Sequence, residues 1–462
     1  MSHIAPEQTV ISPLKNQGTN VMDKQTQHKM SAVFAEQKKL FLSGATQSNT
    51  FKKAQLLKLK EAVNHYRTDL RQAMAVDLGR SEEGVDRGEI QPLLNEIDFA
   101  LIHLDEWTQE QCVPTPSELS HTRSFISREG YGVTYIISPF NYPVYLTGGP
   151  LVGAIVGGNT AMIKPSESTP ETSKVIENII NNTFDPAYAH VFQGAREENE
   201  YLLSLPFDLI FFTGSPQVGK IVMAAAAKNL TPVLLELGGK CPAIVLADAD
   251  LDQAVQELVG AKMFNSGQTC VAPDYIYADK RIKESLVSKL SAALKADYHQ
   301  AGSNGKIITE QAWNRLENIV ATSKGKVLRC GDADKTQRYF SPIVIDDADF
   351  DDSSMQGELF GPIFPVLTFE NESEIATNVN TRHPKPLAAY VFTVDPEHGR
   401  ELIDAIPSGD ASINTLMMHA STPWLPFGGV GPSGMGSYHG KYSYEAFTHQ
   451  KSIRVKKVVK PA

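Results

Sequence analysis

A single cysteine, Cys270, stands in the stretch Asn265-Ser-Gly-Gln-Thr-Cys-Val-Ala-Pro-Asp-Tyr275. A charged periodic segment, Leu251 to Lys262, leads into it, and a β-rich run, Tyr275 to Tyr277, follows. Small polar neighbours leave room for a reagent to approach the sulfur, and a thiolate in such a setting is a nucleophile. An inert core thiol is the commoner role of cysteine. A protease-type pair with His419 or His439 is also conceivable, although no family-type signature surrounds this cysteine.

Four other stretches could serve such a nucleophile. In Leu234-Leu-Glu236-Leu-Gly-Gly-Lys240 the carboxylate lies between leucines. Partial desolvation raises its pKa and suits it to general-base work near neutrality; otherwise Lys240 or a backbone group simply satisfies its charge. In Pro139-Phe-Asn141-Tyr-Pro143 two prolines restrict the backbone around an asparagine. A fixed amide donor is what an oxyanion hole needs, while a turn asparagine is the plainer alternative. In Phe211-Phe-Thr213-Gly214-Ser215-Pro-Gln-Val-Gly219-Lys an apolar strand ends on glycine, Ser215 can cap a helix, and Pro216 suits its first turn. That helix start either binds a phosphate or is an ordinary capped turn. Lys164-Pro-Ser-Glu167 closes another strand-like run, where the pair either holds ribose hydroxyls or forms a strand-end ion pair.

Two further segments are Glu358-Leu-Phe360-Gly-Pro362 and the run from Pro426 to Gly436. The first can lay a carboxylate and an aromatic ring against a sugar and a planar base. The second is too rich in glycine for a helix or strand and reads as a tightly folded loop that permits close backbone approach.

The elements that must position these residues follow from the apolar pattern. Residues 1–28 are polar and without periodicity, and read as an extension. Helical spacing runs over 29–76 and again from Ile90 to Trp107. From Gly130 the chain alternates: strands at Gly132–Ile137, Thr160–Ile163, Ala189–Phe192, Asp208–Thr213 and Pro232–Leu235, with helices between them. Five strands with helical crossovers predict an α/β fold, a parallel, doubly covered sheet of Rossmann type. A second α/β series begins at Pro242, with a helix over Arg281–Leu294 and strands near Pro365–Phe369 and Ala388–Thr393. Leu119–Ile126 and Lys451–Val458 read as extended.

Composition narrows the partners. The chain has 462 residues, which suggests two or three domains. A net charge of −10 argues against a nucleic-acid backbone as partner. Cys112, Cys241, Cys270 and Cys330 are far apart with no CxxC pair, so neither a disulfide framework nor a metal site is expected, and a reducing cytoplasm is. The uncharged stretch from Gly130 to Ile163 is interrupted by Pro139, Pro143, Pro150 and five glycines, so a buried strand–helix–strand unit explains it better than a membrane span.

Taken together and in this order, the motifs resemble the aldehyde dehydrogenase superfamily from about Met30 onward. The likeness is greatest to the dimeric class acting on aromatic and medium-chain to fatty aldehydes, through Leu234 to Lys240, Asn265 to Tyr275 and Gly436-Ser-Tyr-His-Gly-Lys-Tyr-Ser-Tyr444. The resemblance implies that Cys270 is the nucleophile, that Glu236 is the base, and that Asn141 and the Cys270 backbone N–H form an oxyanion hole. It further implies a dinucleotide against Thr213, Gly214, Ser215 and Gly219, with Lys164 and Glu167 at the adenosine ribose. Glu358 and Phe360 would stand at the nicotinamide end. NAD is the expected cofactor, because Glu167 accepts from a ribose 2′-OH and repels a 2′-phosphate; NADP is expected to be usable.

The implied organisation is a cofactor domain (29–115 and 130–238), a catalytic domain (239–425) and strands for a homodimer (116–129 and 437–462). Candidates for the aldehyde pocket are Tyr142, Phe264, Thr269, His419 and Phe427. The basic ending Lys-Lys-Val-Val-Lys-Pro-Ala differs from the apolar tail of the family's membrane-bound members. Gly357 stands where a second glutamate is frequent, Cys241 replaces a common serine, and Tyr298–Lys306 is a short connection. An acylating enzyme that passes the acyl group to coenzyme A is disfavoured by Glu236. A silent binding protein is disfavoured by the joint presence of Cys270, Glu236 and Asn141.

Overall fold

The computed structural model describes residues 22–300, 302 and 304–456. Three sheets organise it. The first has six strands in the order Ala189–Val191, Thr160–Lys164, Val133–Ile137, Leu209–Thr213, Val233–Glu236 and Gly434–Met435. The first five are parallel, joined by helices that include Tyr145–Gly157, Pro170–Asn181 and Pro216–Ala227. Each apolar run expected as a strand here is one, to within a residue or two. The sixth strand was not expected. The glycine-rich loop returns to the sheet edge and pairs antiparallel, Gly434 opposite Glu236. Gly434 has φ +144, and a Cβ there would lie 2.2 Å from the Leu235 carbonyl oxygen, so only glycine permits this approach.

The central strand Val133–Ile137 is flanked by Thr160–Lys164 on one side and Leu209–Thr213 on the other. That is the switch point of a doubly wound sheet, and its carboxyl edge is where such folds bind ligands. The helix Tyr145–Gly157 is buried nearly throughout and runs through Pro150. Its glycines set the packing distance: a Cβ on Gly153 would meet the Phe447 ring at 2.6 Å.

The second sheet has seven strands in the order Lys326–Arg329, Ile343–Asp346, Ile363–Phe369, Tyr275–Asp279, Pro242–Val245, Ala388–Phe392 and Asp410–Ile413. All are parallel except the edge strand Lys326–Arg329. The third sheet is antiparallel and has three strands, Gln111–Val113, Thr122–Gly130 and Thr448–Lys456.

Some boundaries differ from expectation. The first helix is Lys24–Leu42, so the polar extension ends by Asp23, whose side chain caps that helix. Its first turn is all polar and carries no apolar signal. The rest of the extension lies outside the described residues, as do the last residues of the expected C-terminal strand. Ser117–Leu119 forms a 3-10 turn after Pro116, and the extended arm starts at Thr122. Its sheet also draws on Gln111–Val113, upstream of the expected segment. Among the described residues no helix is long and apolar enough to cross a membrane.

Candidate active site

The sheet edge dictates the site. Lys164, Thr213 and Glu236 are the last residues of three parallel strands of the first sheet, and Asn141 lies just beyond a fourth, Val133–Ile137, which runs between the strands of Lys164 and Thr213. Cys270 and Glu358 arrive from the second sheet, on the loops before Tyr275–Asp279 and Ile363–Phe369. A cavity of about 480 Å³ is lined by Asn141, Lys164, Glu167, Thr213, Gly214, Ser215, Glu236, Cys270, Glu358 and Phe360. Of the residues singled out for catalysis or cofactor binding, Gly219 alone is missing from this lining, and the aldehyde-pocket candidates Tyr142, Phe264, Thr269, His419 and Phe427 are not part of it either. Gly219 packs on Leu237, where a Cβ would come within 2.8 Å of that side chain.

Cys270 is half-buried and follows a strained turn. Asn265, Ser266 and Gly267 have φ of +56, +53 and +71, three successive residues in the left-handed region. Such strain persists only where the surroundings enforce it. Here Ser266 Oγ donates to the carbonyls of Asn304 (3.0 Å) and Gly305 (3.2 Å), and Gln268 spans Lys306 O and Ile308 N at 2.9 Å each. Gly267 must be glycine, since a Cβ would sit 2.4 Å from Gly361 O. Burial pushes the Cys270 thiol up, and the nearby carboxylates Glu358 and Glu236 push it further.

Asn141 is 3 % exposed. Its amide nitrogen donates one hydrogen to Gln268 O at 3.1 Å, which anchors the group two residues before the cysteine. An amide carries two hydrogens, so one is left for a ligand oxygen. Glu236 is 2 % exposed, and neither carboxylate oxygen has a hydrogen-bond partner. Burial raises its pKa well above the ordinary value, and the Asp410 charge adds to this. Lys240 does not neutralise it. That ammonium bonds Asp274 at 2.5 Å, Ser354 O at 2.8 Å and Gly357 O at 3.0 Å. An unpartnered buried carboxyl beside a cavity is equipped to hold a water molecule and move its proton.

Neither candidate histidine of the protease alternative lines the cavity that holds Cys270. His439 Nδ1 pairs with Tyr145 OH at 2.9 Å and His419 Nδ1 with Ser412 Oγ at 3.2 Å. Burial lowers both imidazoles, to about 3 and about 4 respectively, so both are neutral. Of the expected pocket residues, Tyr142 OH bonds Thr269 Oγ1 at 2.6 Å and its ring stacks with Phe264 at 6.2 Å. Phe427 packs between His419 and His439.

The remaining wall fits a dinucleotide. Ser215 caps the 12-residue helix Pro216–Ala227 by accepting from Val218 N; Pro216 has no N–H and Gly219 N–H bonds Ser215 O, so Gln217 N–H is the first-turn donor left for a phosphate. Thr213 Oγ1 is buried without a partner. Lys164 donates to Glu167 at 2.5 Å, and a larger cavity continues past Glu167 along Pro170, Lys174 and Gly194. Glu358 accepts from Gly239 N–H, and burial, with Asp274 nearby, raises it to about 8. A Cβ on Gly238 would lie 2.1 Å from its Oε2, so the di-glycine lets this carboxylate approach the strand end. Phe360 has φ +50 and meets Phe140 edge-on at 5.7 Å.

The sequence departures are accommodated. Cys241 Sγ lies 3.4 Å from Cys270 O and 3.3 Å from Ala388 N, so it braces the cysteine loop rather than Glu236. A side chain at Gly357 would meet nothing within 4 Å. Among the described residues no His, Cys, Asp and Glu cluster is grouped to hold a metal ion.

Two charged groupings escaped sequence reasoning. Asp274 receives Lys240 and Lys262 (3.4 Å) and the Leu359 N–H at 3.1 Å, tying the cysteine loop to the Glu358 loop. Arg80 and Glu89 form a buried pair at 2.9 Å beside Asn141. Nothing local marks the second pair, since Arg80 and Glu89 stand in a stretch where exposed Glu82, Glu83 and Arg87 are charged as well.

The family model described as "Aldehyde dehydrogenase family" matches residues 3–453. The chain is 43% identical to the 4,4'-diaponeurosporen-aldehyde dehydrogenase of Staphylococcus aureus, over 91% of this chain and 92% of that protein. It is 39% identical to a "dimeric NADP-preferring" aldehyde dehydrogenase of Rattus norvegicus, over 91% and 93% of the two chains. A solved structure described as the substrate-bound state of Staphylococcus aureus AldH superposes with a TM-score of 0.90 at 41% identity, covering 94% of this chain and 95% of that one.

Proposed function

Because this chain belongs to the aldehyde dehydrogenase family and oxidises aldehydes to carboxylic acids with NAD or NADP, we propose that Cys270 is its nucleophile, Glu236 its general base and Asn141 its oxyanion donor. One observation carries this reading: Cys270, the anchored Asn141 amide and the unpartnered Glu236 carboxyl line one cavity at the end of a dinucleotide-type sheet.

Glu236 and Cys270 each raise the cost of a negative charge on the other, so the pair holds one charge more easily than two. In the fraction that carries the single charge on Glu236, the carboxylate takes the thiol proton as Cys270 attacks the aldehyde carbon. The oxygen that becomes negative is received by the free Asn141 hydrogen and the Cys270 backbone N–H. Oxidised nicotinamide, when bound, supplies the hydride acceptor for this adduct. Cys270 is left as a thioester; Glu236, having passed the first proton to solvent, draws one from water as it attacks the acyl carbon, and the C–S bond breaks to release the acid and the Cys270 thiolate. Lys164 and Glu167 would hold the adenosine ribose; Thr213, Gly214, Ser215 and the helix start would hold the phosphates. Gly219 would let that helix sit close to Leu237, and Glu358 and Phe360 would fix the nicotinamide end.

The favoured substrate is an apolar aldehyde, aromatic or medium-chain to fatty, which suits the Tyr142 and Phe264 rings beside Thr269. NADH absorbance with a panel from benzaldehyde and hexanal to a long-chain aldehyde is expected to give turnover. A response confined to small polar aldehydes would reverse the assignment of class.

NAD is the preferred cofactor in this reading, with NADP accepted. Glu167 presents an acceptor where a 2′-phosphate would add negative charge, while its bond to Lys164 and the nearby Lys174 moderate that repulsion. kcat/KM is expected to be higher with NAD, and a higher value with NADP would overturn the preference.

The assembly is a homodimer. Strand Thr448–Lys456 has a largely exposed face and lies at the edge of its sheet, where unpaired backbone invites a neighbouring strand. Light scattering is expected to give twice the chain mass of 50.6 kDa; a monomer would refute the pairing. The four free thiols suit the reducing cytoplasm as its location.

A further inference from the structure

We propose that Arg80 is a positioning residue that sets the Asn141 amide against the cysteine loop. The proposal rests on the oxyanion role given to Asn141 above.

Arg80 is 7 % exposed, and each side of its guanidinium is engaged. Nη2 donates to Asn141 O at 2.7 Å, Nε to Asn265 Oδ1 at 3.1 Å, and Nη1 to Glu89 Oε1 at 2.9 Å. Asn265 Nδ2 donates in turn to Asn141 O (3.0 Å) and to Gln268 O (3.2 Å). The Asn141 amide donates to that same Gln268 carbonyl at 3.1 Å. The ring Arg80–Asn141–Gln268–Asn265 is therefore closed, and it contains the donor amide and the residue two before the nucleophile.

The outer end of the fork is equally fixed. The second Glu89 oxygen accepts from Val144 N (3.0 Å) and Tyr145 N (2.8 Å), at the start of the helix that follows Asn141. Glu89 lies on a π-helical turn, Asp86–Ile90, a feature frequent at functional sites. The guanidinium face covers the Tyr142 ring at 4.5 Å and the Phe264 ring at 5.5 Å. Arg80 thus joins three segments: the helical opening region, the Pro139–Pro143 turn and the cysteine loop. A planar fork can meet three acceptors at once, whereas a lysine ammonium is a single point that can keep Glu89 but not also span Asn141 and Asn265.

The test is a double-mutant cycle of Arg80→Lys and Asn141→Ala, read as kcat per Cys270 that iodoacetamide can label. Asn141→Ala alone is expected to slow turnover by ~10²–10³-fold. Arg80→Lys alone is expected to lower kcat by ~10²-fold, the effect of about 1 Å of misplacement, with KM for aldehyde and NAD within ~3-fold of wild type. In the Asn141→Ala background, Arg80→Lys should cost less than ~3-fold more, because the group it positions is gone.

Full multiplication of the two effects, or an Arg80→Lys enzyme with wild-type kcat, would overturn the proposal and leave the catalytic assignment standing. Wild-type turnover in Asn141→Ala would remove the oxyanion role and the proposal with it. Should Arg80→Lys not fold, Asn265→Gly replaces it in the cycle under the same criteria. Glycine tolerates the positive φ at 265 and deletes the side-chain bonds to Arg80, Asn141 and Gln268.

Discussion

Replacing Cys270 with alanine is expected to lower kcat for aldehyde oxidation by roughly 10⁴–10⁶-fold, the scale seen when a covalent nucleophile is deleted. Without the thiolate no adduct forms, and hydride would have to leave an unactivated aldehyde. NAD affinity should hold, since the helix start, Thr213 and the Lys164–Glu167 pair, which are proposed to hold the cofactor, lie on other strand ends. The measurement is NADH absorbance under saturating aldehyde, with NAD binding followed by fluorescence. A variant within tenfold of wild type would exclude Cys270 as nucleophile, and Cys241 would be the next thiol to test, since its sulfur lies 3.4 Å from Cys270 O.

The same residue sets a pH dependence. Burial and the carboxylates Glu358 and Glu236 hold the thiol above its usual range. The reactive form is the thiolate, so wild-type kcat/KM rises as pH rises through neutrality and falls as pH is lowered.

Glu236→Gln has the second largest expected effect, a fall of ~10²–10⁴-fold in steady-state turnover. Glutamine matches the carboxyl in shape, and burial already favours the neutral form of Glu236. Folding should therefore be little disturbed. Only the proton acceptor is lost, and the two steps that use it are affected unequally. Thiolate formation can draw on solvent, because Cys270 is partly open to the cavity. Water attack on the thioester depends on an acceptor held at the acyl carbon. The variant should therefore release one NADH per active site in a rapid burst and then stall. Stopped-flow absorbance reads both phases. A slow linear progress curve without a burst would place the role of Glu236 before hydride transfer.

Much of this site is legible in the sequence because it is built at strand ends. An apolar run that stops on a polar residue locates both the element and the polar group at its end, as at Lys164, Thr213 and Glu236. Asn141 is legible for a related reason, since its two prolines declare a fixed turn just beyond a strand.

What is illegible depends on contacts between distant segments. Arg80 meets Asn265 across 185 positions, and Asp274 gathers Lys240, Lys262 and the Glu358 loop; neither has a local pattern. Gly434–Met435 is hidden for another reason. Two residues from a glycine-rich run have no alternation to read, and their pairing with Glu236 is decided by backbone approach alone. The helix start at Lys24 escaped notice because its polar first turn has no buried side.

The central claim, that substrate is carried on Cys270 and released through Glu236, is tested most directly by mass spectrometry of Glu236→Gln after a single exposure to NAD and an aldehyde. One added acyl group per chain is expected, found on the peptide that contains Cys270 and removed by hydroxylamine. An unmodified Cys270 peptide after a full burst of NADH, or the acyl group on Cys241, would contradict it.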